Sequence, residues 1–296
     1  MRVLTDLQSR LSTMRSSHLL SSLRYSLKTM GVRNTIQVSR AYIGNALFPQ
    51  PSDETVRRYR LGQVLSDHFD NTVAYGPFKG LVLSDTSWWG AADRGSMLLG
   101  FYEKEVLDSL EAFSKDRDTF IDIGAADGYY AIGAVASGLF SKSFCFELSE
   151  EGQAAIAKNA ERNSAAGKVQ IFGEAREGFV SGITEKFAID LGKTVFLFDI
   201  EGAEFHVVNE TFLQEVRHAA LIIEIHDWEA PPRSGVNELV NLAEKYFYVS
   251  WLTMGARDLS GFTELQEWPD DDRWILCSES RKKLMRWLVL TPREKG

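Results

Sequence analysis

Three carboxylates crowd around a glycine in Asp199-Ile200-Glu201-Gly202-Ala203-Glu204, directly after the apolar run Val195-Phe196-Leu197-Phe198. Acid density beside a core-forming segment costs free energy unless a ligand or partner uses it. A solvated turn is the plain alternative, and the neighbouring motifs weigh against it. A second run, Leu221-Ile222-Ile223-Glu224-Ile225-His226, puts Glu224 and His226 on one face by the two-residue period of a strand. His226 then lies at the strand end beside Asp199, where either group could take a proton from a hydroxyl, although a strand histidine also serves as an ordinary rim residue. A third segment reads Phe120-Ile121-Asp122-Ile123-Gly124-Ala125-Ala126-Asp127-Gly128-Tyr129-Tyr130, with Gly124 in a tight turn and Gly128 where the next helix begins. A dinucleotide fingerprint needs a second glycine at position 126, where alanine stands. Asp122 and Asp127 would repel a pyrophosphate, whereas they suit a ligand bearing a sulfonium and an ammonium group, which points to S-adenosylmethionine.

These residues need a scaffold that brings strand ends together. From Thr119 onward, strand-like runs at 119–123, 143–147, 169–172, 195–200, 219–226, 246–252 and 274–277 alternate with helical patterns. That alternation predicts a doubly wound, seven-stranded α/β sheet of Rossmann-like type, with ligands beyond the carboxyl ends of its strands. The second run ends in Glu147, 19 residues after Gly128, where a carboxylate accepts hydrogen bonds from both ribose hydroxyls. After the third run, Glu174 and Ala175 fall at the expected adenine edge, although Glu174 equally suits a surface charge. In this reading Asp199 or His226 is the base, and Glu201, Glu204 and Glu224 orient it or bind acceptor hydroxyls. A divalent metal on Asp199, Glu201 and His226 is the second choice, and no resident metal is expected. Trp88 and Trp89 offer either a stacking wall for a sugar or plain packing. His18, His68, His206 and His218 sit in no motif.

The pairing of the 121–130 segment with Asp199-Ile200-Glu201-Gly202-Ala203-Glu204 and Ile223-Glu224-Ile225-His226 resembles the FkbM family of methyltransferases, over about residues 98 to 277. The resemblance implies the class I methyltransferase fold, S-adenosylmethionine as donor, and O-methylation of a sugar, glycan or secondary-metabolite hydroxyl. It implies cofactor roles for Asp122, Gly124, Gly128 and Glu147, with Ala125 in the same loop. The family's acidic signature carries over onto Asp199, Glu201 and Glu204. Tyr102-Glu103 is similar to the family's lead-in glutamate, which adds Glu103 to the cofactor side. Asp127 departs from the asparagine often found in that loop and adds charge beside the donor. A non-catalytic scaffold that keeps the fold is the alternative from another class, and retention of both loop glycines and the acidic signature argues against it.

Composition sets the limits. The 296 residues are 44% hydrophobic and 25% charged, ordinary globular values with ample core material. With 33 basic against 41 acidic residues the formal net charge is −8, which repels polyphosphate and argues against a nucleic-acid partner. The two cysteines, Cys145 and Cys277, lie in apolar runs and are expected as buried thiols. No apolar run reaches the roughly 20 residues that cross a bilayer, so a cytoplasmic protein is expected. The chain is expected to divide into a basic amphipathic extension (1–48), a lead-in with short strands (49–97) and the methyltransferase domain (98–296). The extension carries Arg2, Arg10, Arg15, Arg24, Lys28, Arg33 and Arg40 against Asp6, with leucines at helical spacing. It suits self-association or peripheral membrane binding through residues 1–45. Deleting residues 1–45 is therefore expected to leave donor binding intact while changing oligomeric state or membrane association, as read by light scattering and liposome flotation. Loss of donor binding in a folded truncation would mean that the segment completes the pocket.

Overall fold

The computed structural model describes residues 53–87, 92–227, 234–279, 281 and 283–293. The chain divides into two units, residues 1–56 and 57–296. Nearly all of the first unit, with the expected basic helices of 1–48, lies outside the described residues, as do Trp88 and Trp89.

Seven strands make one sheet: β1 (Thr119–Ile123), β2 (Lys142–Phe146), β3 (Val169–Phe172), β4 (Thr194–Phe198), β5 (Ala220–Glu224), β6 (Phe247–Thr253) and β7 (Arg286–Pro292). Their order is β3-β2-β1-β4-β5-β7-β6. The first five pair in parallel, and β7 runs antiparallel between β5 and β6. This is the seven-stranded class I methyltransferase arrangement. β1, β4 and β5 are buried along their whole length, which is why they read as continuous apolar runs rather than alternating ones.

The helices are α1 (Asp53–Phe69), α2 (Arg94–Leu98), α3 (Lys104–Phe113), α4 (Tyr129–Ala136), α5 (Glu150–Arg162), α6 (Phe179–Phe187), α7 (Glu204–Val207), α8 (Glu210–Glu215), α9 (Ser234–Ala243) and α10 (Asp270–Cys277). One face of the sheet, with Phe120, Val195, Leu197, Ala220, Ile222 and Trp287, packs under α3, α4 and α5. The opposite face, with Ile121, Phe144, Phe196, Phe198, Leu221 and Ile223, packs under α6, α8 and α9. A third apolar cluster joins α1, α2 and α10 through Leu61, Leu65, Leu98, Leu276 and Cys277. Cys145 and Cys277 are free and buried. No helix among the described residues is long and apolar enough to cross a membrane.

Three expectations need correction. Residues 274–277 are not a strand but the end of α10, because Pro269 and the acids Asp270, Asp271 and Asp272 form a helix N-terminus that the macrodipole favours. The seventh strand is instead Arg286–Pro292. The stretch 55–83 holds most of a 17-residue helix, and its β-structure is the single bridge Thr72–Val82. The boundary drawn at residue 98 falls inside α2, and the chain turns into α3 where Glu103 takes a left-handed backbone (φ 44°).

Candidate functional site

The sheet order reverses at β1, which has β2 on one side and β4 on the other, so a crevice opens at their carboxyl ends. In register, Ile123 pairs with Phe198, and Phe198 with Ile223. Asp199 therefore lies one residue beyond β4, and Glu224 is the last residue of β5. The turn after β1 is drawn tight by backbone bonds from Gly124 N and Ala125 N to Phe146 O (2.9 and 3.1 Å) and from Asp199 N to Ile123 O (3.0 Å). Gly124 has φ +94°, and a Cβ there would lie 1.8 Å from the Asp199 carbonyl oxygen. Only glycine lets the two strand ends come this close. Ala126 holds a left-handed backbone (φ 47°) at the position where a dinucleotide fingerprint has its second glycine.

Glu147 stabilises this loop from the β2 side. Its Oε2 accepts from Ala126 N (2.9 Å) and its Oε1 from Ser149 N (2.8 Å), while each oxygen keeps a further acceptor position. Gly124, Ala125, Gly128, Asp127 and Asp199 line a cleft closed by Leu81 to Ser84, Tyr102, Tyr129, Asn159 and Asn163. Asp127 is tied to Ser87 by a side-chain hydrogen bond, and Asn159 Nδ2 donates to the Asp127 carbonyl (2.9 Å). Glu147, Glu103, Asp122, Glu174 and Ala175 do not line this cleft. Glu174 is exposed and pairs with Arg176 (2.8 Å), and Ala175 packs against the apolar layer beside β3.

Asp122, four residues into β1, is 2% exposed, and its Oδ2 has no hydrogen-bond partner among the described residues. Burial, then the nearby Asp199, push its carboxyl up to about 8. Asp199 is pushed up to about 7 by desolvation and then by Glu103, against the pull of His226. Glu103 is buried, accepts from Tyr130 Oη (2.7 Å) and pairs with Arg281. Its carboxyl is raised by burial in spite of those two partners. Arg281 also reaches Glu224 Oε1 (3.0 Å) and Glu279 Oε2 (3.2 Å), so one guanidinium serves three buried acids.

His226 is surrounded by carboxylates. Its Nε2 lies 3.5 Å from Glu201 Oε2, 3.7 Å from Asp199 Oδ1 and 3.8 Å from Glu224 Oε1. Behind it Glu204, fully buried, accepts from His226 N and from Gly202 N (2.8 Å each), and its Oε1 is 3.3 Å from His226 Nδ1. Burial opposes charge on the imidazole, but the Glu204 contact and then Asp199 outweigh it and hold the His226 pKa above its usual value. Asp199, Glu224 and His226 each offer a ligand atom within 4.8 Å of the others. The structure thus brings Asp199, Glu201, Glu204, Glu224 and His226 together, with Glu204 enclosed behind the imidazole. Arg281 and Glu279 went unread because nothing in their local sequence marks them, and Tyr130 was read as part of the 121–130 motif without a role of its own. Glu279 and Arg281 lie between α10 and β7 and reach the strand ends through the chain's tertiary course.

No protein-family model and no curated protein sequence matches the chain, so the likeness to FkbM remains one of motifs. Solved structures are similar in architecture. The O-methyltransferase from Bacillus cereus in complex with SAH is 14% identical, over 85% of this chain and 96% of that one, with a TM-score of 0.43. Cofactor-bound Rv0187 from MTB is 10% identical over 87% and 97%, with a TM-score of 0.43. A tRNA methyltransferase from B. subtilis is 12% identical over 63% and 64%, with a TM-score of 0.39. These values are too low to carry an argument about activity, which rests on the site itself.

The Gly124 turn yields a direct comparison. Gly138 has a similar φ of +81° but open space where a Cβ would go. Gly138→Ala should cost about 1 to 3 kcal/mol from backbone conformation alone. Gly124→Ala should cost clearly more in denaturant unfolding, because the new methyl group meets the Asp199 carbonyl. Equal losses would contradict the close approach of the two strand ends.

Proposed function

We propose that the protein transfers a methyl group from S-adenosylmethionine to a hydroxyl of a sugar, glycan or secondary metabolite. One observation carries this reading. Asp122 and Asp199 stand beside a glycine turn at the switch point of the sheet, and a buried Asp122 oxygen lacks any partner among the described residues. Such a site favours a ligand with positive charge at its centre and disfavours a pyrophosphate.

In this reading the glycine turn and Ala125 pass beneath the donor, with Asp122 and Asp199 facing its ammonium and sulfonium groups. Glu147 takes the ribose hydroxyls on its remaining lone pairs, and Glu174 and Ala175 border the adenine. Glu103, fixed by Arg281 and Tyr130, closes the methionine side. The acceptor oxygen attacks the methyl carbon in line with the sulfur. The new C–O bond forms as the C–S bond breaks, S-adenosylhomocysteine leaves, and the hydroxyl proton passes to the Asp199–His226 cluster. Glu201, largely exposed, meets acceptor hydroxyls, and Glu204 acts through His226 as a positioning residue.

The net charge of −8 and the acid-lined strand ends favour a neutral polyol over a nucleic-acid acceptor. Incubation of labelled donor with glycans, polyols and tRNA, followed by mass spectrometry, should find a single added methyl on a polyol. Transfer to tRNA alone would overturn the acceptor assignment, and failure to bind S-adenosylhomocysteine would favour a scaffold. Two variants should separate donor from acceptor roles. Glu147→Ala should weaken donor binding by about 1.5 to 3 kcal/mol in titration calorimetry. Asp199→Asn should lower turnover by about 10² to 10⁴. Unchanged donor affinity in the first variant, or full turnover in the second, would remove that residue from the site.

A further inference from the structure

The geometry points to a divalent-cation site of the manganese or zinc type, built from Asp199, Glu224 and the Nε2 atom of His226, with Glu201 at its solvent side. Three carboxylate oxygens lie 3.5 to 3.8 Å from that single nitrogen. These separations are long for hydrogen bonds. Ligand atoms held about 2.0 to 2.2 Å from a cation lie roughly 3.0 to 3.6 Å from one another. The ligand atoms of Asp199, Glu224 and His226 lie within 4.8 Å of one another, so side-chain shifts of about 1 Å or less would close the shell around a cation. Glu204 stands where the usual outer partner of a metal-bound imidazole would, with its Oε1 3.3 Å from His226 Nδ1, and a modest turn of the ring would let Nδ1–H donate to it and direct Nε2 at a metal.

A second observation points the same way. Glu224 is 1% exposed, and although its Oε1 meets Arg281, its Oε2 has no hydrogen-bond partner among the described residues. A buried carboxylate oxygen in that state calls for a cation. Four carboxylates stand within 4 Å of one imidazole, and among the described residues Arg281 ion-pairs with just one of them. Mixed imidazole and carboxylate donors suit manganese or zinc better than calcium.

The cation's role rests on the methyl-transfer reading, whereas its binding does not. Bound beside the methyl group, it would hold the acceptor oxygen and lower the pKa of that hydroxyl. The proton would then pass to Glu201, which reaches solvent, and His226 would serve as a ligand rather than a base.

The test uses the full chain and free manganese(II), followed by its paramagnetic resonance signal, with no donor or acceptor present. One saturable site per chain is expected, weakened at least tenfold by His226→Gln and by Asp199→Asn. Asp199 is partly exposed, so that variant should keep its unfolding midpoint even if a change at the more buried His226 does not. Absence of a saturable site, or equal binding in wild type and a folded Asp199→Asn, would overturn the proposal. Binding that obeys the variants in a protein that transfers no methyl group would leave the cation site standing and remove only its catalytic role. Full transfer in excess chelator would remove that role as well.

Discussion

Asp122 and Asp199 stand at the ends of neighbouring parallel strands with only the Gly124 turn between them. The hydrogen-bond register of β1 and β4 sets that spacing, and side-chain adjustment alone cannot relax it. Two carboxylates confined there, one of them buried, keep a proton or acquire positive charge from elsewhere. The surroundings reflect the same pressure. Arg281 is shared among Glu103, Glu224 and Glu279, while Glu204 is neutralised through two backbone amides and the imidazole. Among the described residues, Arg281 is thus committed to the rim of the site.

Division of labour follows from which strand each group ends. The β1 and β2 ends carry backbone amides and Glu147, which suit the polar periphery of a nucleoside donor. The β4 and β5 ends carry Asp199, Glu201 and His226, whose protons and lone pairs would face the reacting centre in the proposed methyl transfer. Glu204 belongs to a short helix after β4, yet it accepts from the amide of His226 after β5. It therefore couples the two strand ends mechanically as well as electrically.

Much of this was legible in the sequence, for identifiable reasons. β1, β4 and β5 are buried on both faces, so their apolar runs and terminal acids stood out without an alignment. The period of two placed Glu224 beside His226, as the 3.8 Å contact bears out. The failures were physical too. Trp274 to Cys277 looks like a strand because four residues cannot reveal a helical period, and the three acids before it carried the deciding signal. β7 was overlooked because the seventh strand had already been placed at 274–277. Arg281 carries no local pattern, because its role arises from contacts with residues 57 and 178 positions away. The N-terminal 48 residues and the Trp88-Trp89 pair lie outside the described residues.

The central claim is that the Asp122–Asp199 pair waits for a cationic donor, and its most direct test is the proton balance of donor binding. Without ligand these carboxyls titrate near 8 and 7, whereas positive charge beside them should pull both down. The free protein holds protons that the complex does not, so affinity should rise with pH up to about 8 and level off above it. Titration calorimetry at about pH 7 in buffers of different ionisation enthalpy, with chelator present, counts those protons. The account predicts net proton release with S-adenosylmethionine, smaller with S-adenosylhomocysteine, which lacks the sulfonium charge, and reduced in Asp199→Asn. Binding with the same enthalpy in every buffer, and with no dependence on pH in this window, would contradict it.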